Sequence, residues 1–111
     1  MSIASDLIRG NTETIILANL MTGESYGYQI NKSIKEKTDN SYELKEATLY
    51  TAFQRLEKSG CIESYWGDEE RGARRRYYRI TDRGREMYYE LRRDWERAKA
   101  IIDTLINLEE N

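Results

Sequence analysis

Histidine is absent from this chain of 111 residues, and cysteine occurs once, as Cys61. A single cysteine excludes an internal disulfide. With one cysteine and no histidine, the chain has too few of the usual ligands for a zinc site, and the Ser–His and Cys–His pairs of nucleophilic catalysis are impossible. Its acidic residues are scattered among basic ones, as on a solvated surface. We therefore predict that the protein is not an enzyme and holds neither a metal nor a cofactor.

Proline is also absent, and no linker or repeat interrupts the chain, whose length fits one domain. No apolar run approaches the roughly 20 residues that span a bilayer. The first ten residues, "MSIASDLIRG", lack the features of a signal peptide, so we expect a cytoplasmic protein without a membrane partner. Hydrophobic residues make up only 39% of the chain and charged residues 34%. This lean composition suggests that a second subunit covers part of the apolar surface.

Three segments with helical patterns come first. Asn11 is a candidate N-cap for "NTETIILANLM". The second helix is "YGYQINKSIKEKT", and the third is "KEATLYTAFQRLEKSG", which Gly60 terminates. Their predicted buried stripes are Tyr26, Ile30 and Ile34 on the second helix, and Leu49, Phe53 and Leu56 on the third.

Two short segments rich in aromatic and β-branched residues follow, "CIESYWG" and "RRRYYRI", with the polar "DEERGA" between them. This pattern predicts a β-hairpin. Alternation along the second strand places Tyr78 and Ile80 on the core side and Tyr77 on the opposite face. A short extra strand around Tyr42 to Leu44 would fit the same arrangement.

Thr81 is placed to cap a long last helix that starts near Asp82 and ends at about Leu108. The order is therefore three helices, a hairpin and a long helix. This is the layout of a winged helix-turn-helix, mainly α with a small β-hairpin. We expect residues 1–81 to form a DNA-binding domain and residues 82–111 a dimerisation helix.

Arginine is concentrated around the hairpin. Residues 71–93 hold nine arginines and three carboxylates, an excess of +6, so the rest of the chain carries −8 within a total of −2. A local patch, not the net charge, is what binds phosphate, and arginine suits bidentate phosphate contacts. We expect Arg71, Arg74 and Arg75 to contact double-stranded operator DNA. The alternative is that this charge only solvates and protects the hairpin.

The third helix is the candidate reader of base edges, since a helix-turn-helix presents the first turn of its recognition helix to the major groove. Glu46 would face a cytosine amino group or solvent. In the alternative interpretation, Glu46 complements the helix dipole and Tyr50 packs. The residues predicted to contact DNA here are Lys45, Glu46, Thr48, Tyr50 and Thr51.

The last helix carries a heptad seam with spacings of four and three. Its far half extends beyond a small three-helix body, so we expect it to be buried in a homodimer, while part of the same face packs on the first helix. The seam after Gly84 consists of Tyr88, Leu91, Trp95, Ala98, Ile102 and Leu105.

Trp95 is bulky for such a seam. Two copies near a dimer axis could flank a gap that admits a flat aromatic effector, lined also by Met87, Tyr88, Leu91 and Asp94. The alternative is a tryptophan that simply packs.

The chain resembles the PadR-type transcriptional regulators, specifically the short subgroup with one C-terminal helix. The resemblance rests on "LIRGNTETIILANL", "SYGYQI", "ATLYTAFQRLEKSGCIES" and "RRRYYRITDRGRE". It implies a dimeric winged-helix repressor whose last helix makes the dimer contact, and which responds to a small aromatic or lipophilic compound. Three residues depart from the family pattern. Thr51 replaces a usual proline, and Ala47 replaces a glycine or serine. Cys61 replaces a usual leucine, and we expect it to be a small core residue.

Two functional classes are open at this stage. One is a DNA-binding repressor, and the other is a winged-helix dimer that acts as a protein-interaction module without DNA affinity. Salt-dependent binding to the promoter region of its own gene would distinguish them.

Overall fold

The structure is a computed structural model that describes residues 3–67 and 74–109. Within these ranges it contains five helices and three strands. The helices are α1 (Ile3–Arg9), α2 (Thr12–Met21), α3 (Gly27–Lys37), α4 (Glu46–Lys58) and α5 (Asp82–Ile106); the strands are β1 (Ser25–Tyr26), β2 (Ile62–Trp66) and β3 (Arg76–Ile80). The predicted order of helices, hairpin and long helix is confirmed. The short helix α1 was not predicted.

The three strands form one antiparallel sheet in the order β1-β3-β2. Strands β2 and β3 make the predicted hairpin, with Ile62 opposite Ile80 and Trp66 opposite Arg76. Ser25 of β1 lies opposite Tyr78 on the other edge of β3. The arrangement is the sheet of a winged helix, so the predicted fold class is confirmed.

The prediction of an extra strand around Tyr42 to Leu44 was wrong, because the third strand is β1. The backbone of this loop is bonded to side chains instead. Asn31 of α3 donates its amide N–H to the Leu44 carbonyl and accepts the Leu44 N–H, both at 2.8 Å. The Tyr42 N–H donates to Thr38 Oγ1 at 3.2 Å. These bonds use the groups that a strand would need for a ladder.

One hydrophobic core lies between the helices and the inner face of the sheet. The predicted inward residues Tyr78 and Ile80 are 4% and 8% exposed, and Cys61 is fully buried. Tyr26 is only half-buried, whereas the other five residues of the predicted stripes are in the core. The largest fully buried side chains are Phe53, Ile16, Leu17, Leu20, Ile30, Leu56 and Ile62.

The helix boundaries follow local chemistry. Thr81 caps α5 as predicted, because its Oγ1 accepts the Gly84 N–H at 3.0 Å. Gly60 ends the α4 region with φ of 79°, which favours glycine. Asn11 occupies the N-cap position of α2 but makes no capping bond with its side chain. Its amide instead donates to the Leu7 carbonyl of α1, so Asn11 closes the end of that unpredicted helix.

Helix α5 has two different halves. Met87, Tyr88 and Leu91 pack against the core next to α2. Farther along, Ile102 is 44% exposed and Leu105 is 76% exposed. The helix therefore projects from the body, and the molecule measures 67 × 30 × 21 Å. Over the described residues, no helix combines the length and the apolar character needed to cross a membrane.

Candidate nucleic-acid interface

Helix α4 presents a polar ridge to solvent. Its apolar stripe of Leu49, Phe53 and Leu56 is buried, so the opposite side must face outward. Lys45 takes the N-cap position in an extended conformation and is exposed, as is Glu46 in the first turn. Thr51 is also exposed, Thr48 is half-buried, and Tyr50 is 44% exposed.

Two contacts with α3 set the position of the ridge. The paired hydrogen bonds between Asn31 and Leu44 hold the loop just before α4. Gly27 lies under Tyr50, where a Cβ atom would stand 3.1 Å from the tyrosine hydroxyl. The Tyr50 ring also packs edge-on against Phe53, with centroids 5.7 Å apart. Tyr50 therefore both packs and remains accessible, which combines the two interpretations of this residue.

The hairpin is joined to α4 by an aromatic stack and a polar bridge. Tyr78 stacks on Phe53 with centroids 3.8 Å apart. Ser64 donates to Glu57 of α4 at 2.7 Å, and the Arg76 guanidinium donates to Ser64 at 2.7 Å and lies 3.5 Å from the Glu57 carboxylate. Burial is the main cause that raises the pKa of the Tyr78 hydroxyl. The bridge fixes where the root of the hairpin stands relative to the ridge.

The arginine cluster of the sequence does not form one patch. Arg76 is held by Glu57, and Arg79 lies on the opposite face of the sheet, where it pairs with Glu63 at 3.1 Å. Arg83 donates to the Ser59 carbonyl at 2.7 Å. Arg74 differs, since no carboxylate in the described parts of the chain pairs with it; its guanidinium lies 5.6 Å from the centroid of the Trp66 ring.

Arg74 and Arg75 are both exposed and lie directly before β3. The Gly67 N–H donates to the Arg75 carbonyl at 2.7 Å, which continues the hairpin beyond its strands. The Arg75 guanidinium lies 4.8 Å from the Tyr26 ring centroid. The third predicted wing residue, Arg71, lies outside the described residues.

A groove of about 560 Å³ separates the ridge of α4 from this arginine-bearing side of the hairpin. Three arginines and one glutamate line it, so its electrostatic potential favours an anion. Four aromatic side chains besides the buried Tyr78 complete the walls. We call it the wing groove; its lining comprises Tyr26, Gly27, Tyr28, Tyr50, Gln54, Glu57, Trp66, Arg74, Arg75, Arg76 and Tyr78.

The predicted contacts of α4 lie on two sides of the ridge. Tyr50 faces the wing groove, whereas Thr48 and Thr51 line a second groove against α1 and α2. The structure also exposes Gln54 and Arg55 one turn farther along the same ridge. Sequence reasoning stopped at Thr51 and named neither of them. Their spacing of four residues from Tyr50 and Thr51 was the signal that could have identified them.

The predicted dimer seam runs along one side of α5. Tyr88 and Leu91 pack on the core of their own subunit, and Ala98 is half-buried. Beyond it, the apolar surface is open. The exposed apolar side chains of the far half are Ile101, Ile102, Leu105 and Ile106, and Leu108 is exposed just beyond the helix.

The residues predicted to surround a ligand near Trp95 are not brought together as one site. Trp95 is 39% exposed and lines a groove of about 420 Å³ between α5 and helices α1 and α2, together with Tyr88. Met87 and Leu91 turn toward the core. Asp94 is exposed and lies 3.8 Å from Arg97. We call this space the Trp95 groove; its apolar lining on the other two helices is Leu7, Ile8, Ile15 and Ala18.

Solved structures and a curated sequence resemble the chain over nearly its whole length. A transcriptional regulator from Clostridium thermocellum is 50% identical, with a TM-score of 0.86 over 96% of this chain and 100% of that one. A PadR family transcription regulator from Clostridium difficile is 31% identical, with a TM-score of 0.74 over 87% and 99%. An uncharacterized protein from Lysinibacillus sphaericus is 48% identical over 91% of this chain and 93% of that protein.

Residues 16–90 match the transcriptional regulator PadR-like family. The matched stretch contains α3, α4 and the whole sheet, that is, both sides of the wing groove. Regulators of this family bind DNA through a winged helix and are not enzymes, in agreement with the prediction from composition. This chain belongs to the PadR-like family of transcriptional regulators.

Proposed function

We propose that the protein is a dimeric repressor that binds operator DNA with α4 and the hairpin, and that a small aromatic or lipophilic compound releases it. The observation that carries the DNA-binding part is the wing groove. It sets the polar ridge of α4 and the exposed Arg74 on the same side of the molecule. In this arrangement α4 reads base edges and the wing contacts phosphates. Such a protein works where the chromosome is, in the cytoplasm.

Within α4, the first turn supplies the base contacts. Lys45 and Glu46 precede the ridge, and Thr48, Tyr50 and Thr51 lie on its two flanks. Short polar side chains can hydrogen-bond to base edges, while Lys45 suits a phosphate or a guanine. Substitution of Thr48 should therefore change the preference between sites, whereas loss of a wing arginine should weaken binding to all sequences.

The far half of α5 is the feature that supports the proposal of a dimer. Helix α5 is about 37 Å long, and its terminal apolar residues have no cover within the described chain. An antiparallel pairing centred on Ala98 would set Trp95 of one protomer against Ile101 and Ile102 of its partner, and Leu105 beside the half-buried Leu91. Ala98 is small, so the helices can approach closely where they cross. In this division of labour, residues 1–81 bind DNA and residues 82–111 form the dimer.

The Trp95 groove is the feature that supports the proposal of an effector site. Its volume lies within the range of small-molecule sites, and its walls are mostly apolar. In the antiparallel pairing, the end of the partner's α5 would come close to this groove and enclose it. A flat compound could then stack on the Trp95 indole. Titration of planar aromatic compounds into a protein with Trp66→Phe, so that Trp95 alone reports by fluorescence, tests this part.

The DNA-binding part is tested with a matched pair of arginine variants. Arg74→Ala removes a cation of the wing groove that pairs with no carboxylate of the described residues, and Arg79→Ala removes an equal charge from the opposite face of the hairpin. Binding to the promoter region of the protein's own gene is measured over a range of salt concentrations. Each lost phosphate contact should reduce the slope of log K against log salt by about 0.9.

We expect this reduction for Arg74→Ala, and an unchanged slope for Arg79→Ala. Equal effects of the two variants would mean that only net charge matters, and that the wing groove is not the contact. Absence of salt-dependent binding by the wild-type protein would instead favour a protein-interaction module.

A further inference from the structure

Two large aromatic side chains of the wing groove have no part in the contacts proposed so far. Tyr28, in the first turn of α3, is 73% exposed. Trp66, the last residue of β2, is 52% exposed. Neither is needed to fill the core. Both line the space between α4 and the wing.

The Trp66 indole is shared by two arginines with different surroundings. The guanidinium carbons of Arg74 and Arg76 each lie 5.6 Å from its ring centroid. Arg76 is also bonded to Ser64 and paired with Glu57, so its charge is already compensated. For Arg74, the ring is the one contact of this kind in the described parts of the chain. An indole face attracts a cation, so Trp66 restricts where the charge of Arg74 is held.

Tyr28 lies on the α3 side of the same groove. Its hydroxyl makes no hydrogen bond with any described residue, and Gly27 beside it carries no side chain that would cover it. A tyrosine hydroxyl is a regular donor to phosphate oxygens in DNA complexes. The groove thus offers a hydrogen-bond donor on one side and a held cation on the other, with an excess of positive charge between them.

We propose that the wing groove holds the sugar–phosphate backbone of one operator strand, with Tyr28 donating to a phosphate and Trp66 acting as the positioning residue that holds Arg74. The inference rests on the proposed DNA-binding function and extends it to two residues outside the recognition helix and the arginine cluster. A backbone contact carries no sequence information. A random-sequence duplex at low salt is therefore a sufficient probe, and the operator need not be known.

The Tyr28 arm compares Tyr28→Phe with Tyr89→Phe. Both changes remove one hydroxyl from an exposed tyrosine, but Tyr89 lies on α5 and outside the wing groove. Loss of a hydrogen bond to a charged phosphate should weaken duplex binding about tenfold for Tyr28→Phe. The control should bind as the wild type does. Both proteins should unfold at the wild-type temperature, because neither tyrosine is part of the buried core.

The Trp66 arm is a double-mutant cycle. Trp66→Leu should weaken binding about 2- to 5-fold, the equivalent of one exposed cation–π contact, and Trp66→Phe should restore much of it because an aromatic face is kept. In an Arg74→Ala protein, Trp66→Leu should have no further effect. That loss of coupling separates positioning of Arg74 from a general structural role.

The outcomes separate the two levels of the proposal. If the wild-type protein binds the duplex, and Tyr28→Phe and Trp66→Leu each bind it as tightly as the wild type does, the inference is wrong and the proposed function stands. If Trp66→Leu weakens binding to the same extent with and without Arg74, then Trp66 does not act through that arginine, and its positioning role is overturned. If the wild-type protein binds no duplex at low salt, the DNA-binding function is overturned together with this inference.

Discussion

Gly84 stands where α5 crosses the start of β2, and replacing it with alanine gives a sharp test of that junction. A Cβ atom at this position would lie 2.1 Å from the Cys61 carbonyl oxygen and 2.6 Å from the side chain of Ile80. An ordinary contact needs about 3.4 Å, so the helix would have to move by about 1.3 Å. The obstacle is backbone, which cannot turn aside as a flexible side chain can.

The cost can be estimated from three contributions. Overpacking of this kind costs about 1–3 kcal/mol. Displacing the Cys61 carbonyl also weakens its hydrogen bond from the Thr81 N–H, now 3.0 Å, for about 0.5–1.5 kcal/mol. Alanine has a higher helix propensity than glycine, which stabilises the folded state by about 1 kcal/mol and offsets part of this cost. We therefore expect Gly84→Ala to lower the free energy of unfolding by about 2 kcal/mol, or Tm by about 8 °C for a chain of this size.

Gly10→Ala is the matched control. Its added Cβ atom would approach the Leu7 carbonyl oxygen at 3.4 Å, an ordinary contact, so stability should change by less than about 0.5 kcal/mol. Thermal unfolding of both variants and the wild type is followed by circular dichroism at one protein concentration, since the Tm of the proposed dimer would depend on concentration. If Gly84→Ala proves as stable as Gly10→Ala, then α5 does not pack this closely on the body, and the reasoning fails.

Three further predictions address the dimer, the recognition helix and a buried tyrosine. Ile102→Lys or Leu105→Lys should give a folded monomer in sedimentation, since both side chains are exposed in the single chain; a dimeric variant would argue against the α5 seam. Asn31→Ala should cost about 1–3 kcal/mol, because it leaves the Leu44 backbone groups unpaired, and should also weaken DNA binding measured by fluorescence anisotropy. Burial raises the pKa of Tyr78 above 10.0, so the folded state holds this proton more tightly; its contribution is complete below pH 10 and is lost at higher pH. Urea titrations should show less loss of stability above pH 10 for Tyr78→Phe than for the wild type.

Patterns along single elements predicted much of this fold. Two-residue alternation placed Tyr78 and Ile80 correctly in the core, and the cap at Thr81 follows from a hydroxyl directly before a helix. These features depend on a few neighbouring residues, so a single sequence contains them. Strand β1 has only two residues, and its pairing with β3 joins segments about 50 positions apart. No local pattern could predict it.

The sequence could predict only in part which arginines lie on which face of the sheet and which of them are paired. Alternation places Arg74 and Arg76 in phase with Tyr78, and Arg79 in phase with Tyr77, so their separation on two faces could have been predicted. The pairing of Arg76 with Glu57 could not, because it joins the sheet to a helix. The hydrogen bonds of Asn31 could not be predicted either. A polar residue on a helix is expected to be exposed, and only the structure shows that Asn31 holds the loop at Leu44.

The junction between α5 and the body, where Gly84 lies against Cys61, connects the proposed dimer axis to the proposed recognition helix α4. The N-terminus of α5 is bonded directly to the end of α4: Thr81 Oγ1 donates to the Gly60 carbonyl at 2.7 Å, and Arg83 donates to the Ser59 carbonyl at 2.7 Å. Ala98, the proposed crossing point, lies 14 residues or about 21 Å from Gly84. A rotation of about 5° there would move each junction by about 1.8 Å over that lever. The two protomers move in opposite senses, so half-site spacing would change by roughly one base-pair step of 3.4 Å. Under the proposed function, an effector bound in the Trp95 groove would need only a small change in helix angle to disturb operator binding, because the close packing at Gly84 couples α5 to the body.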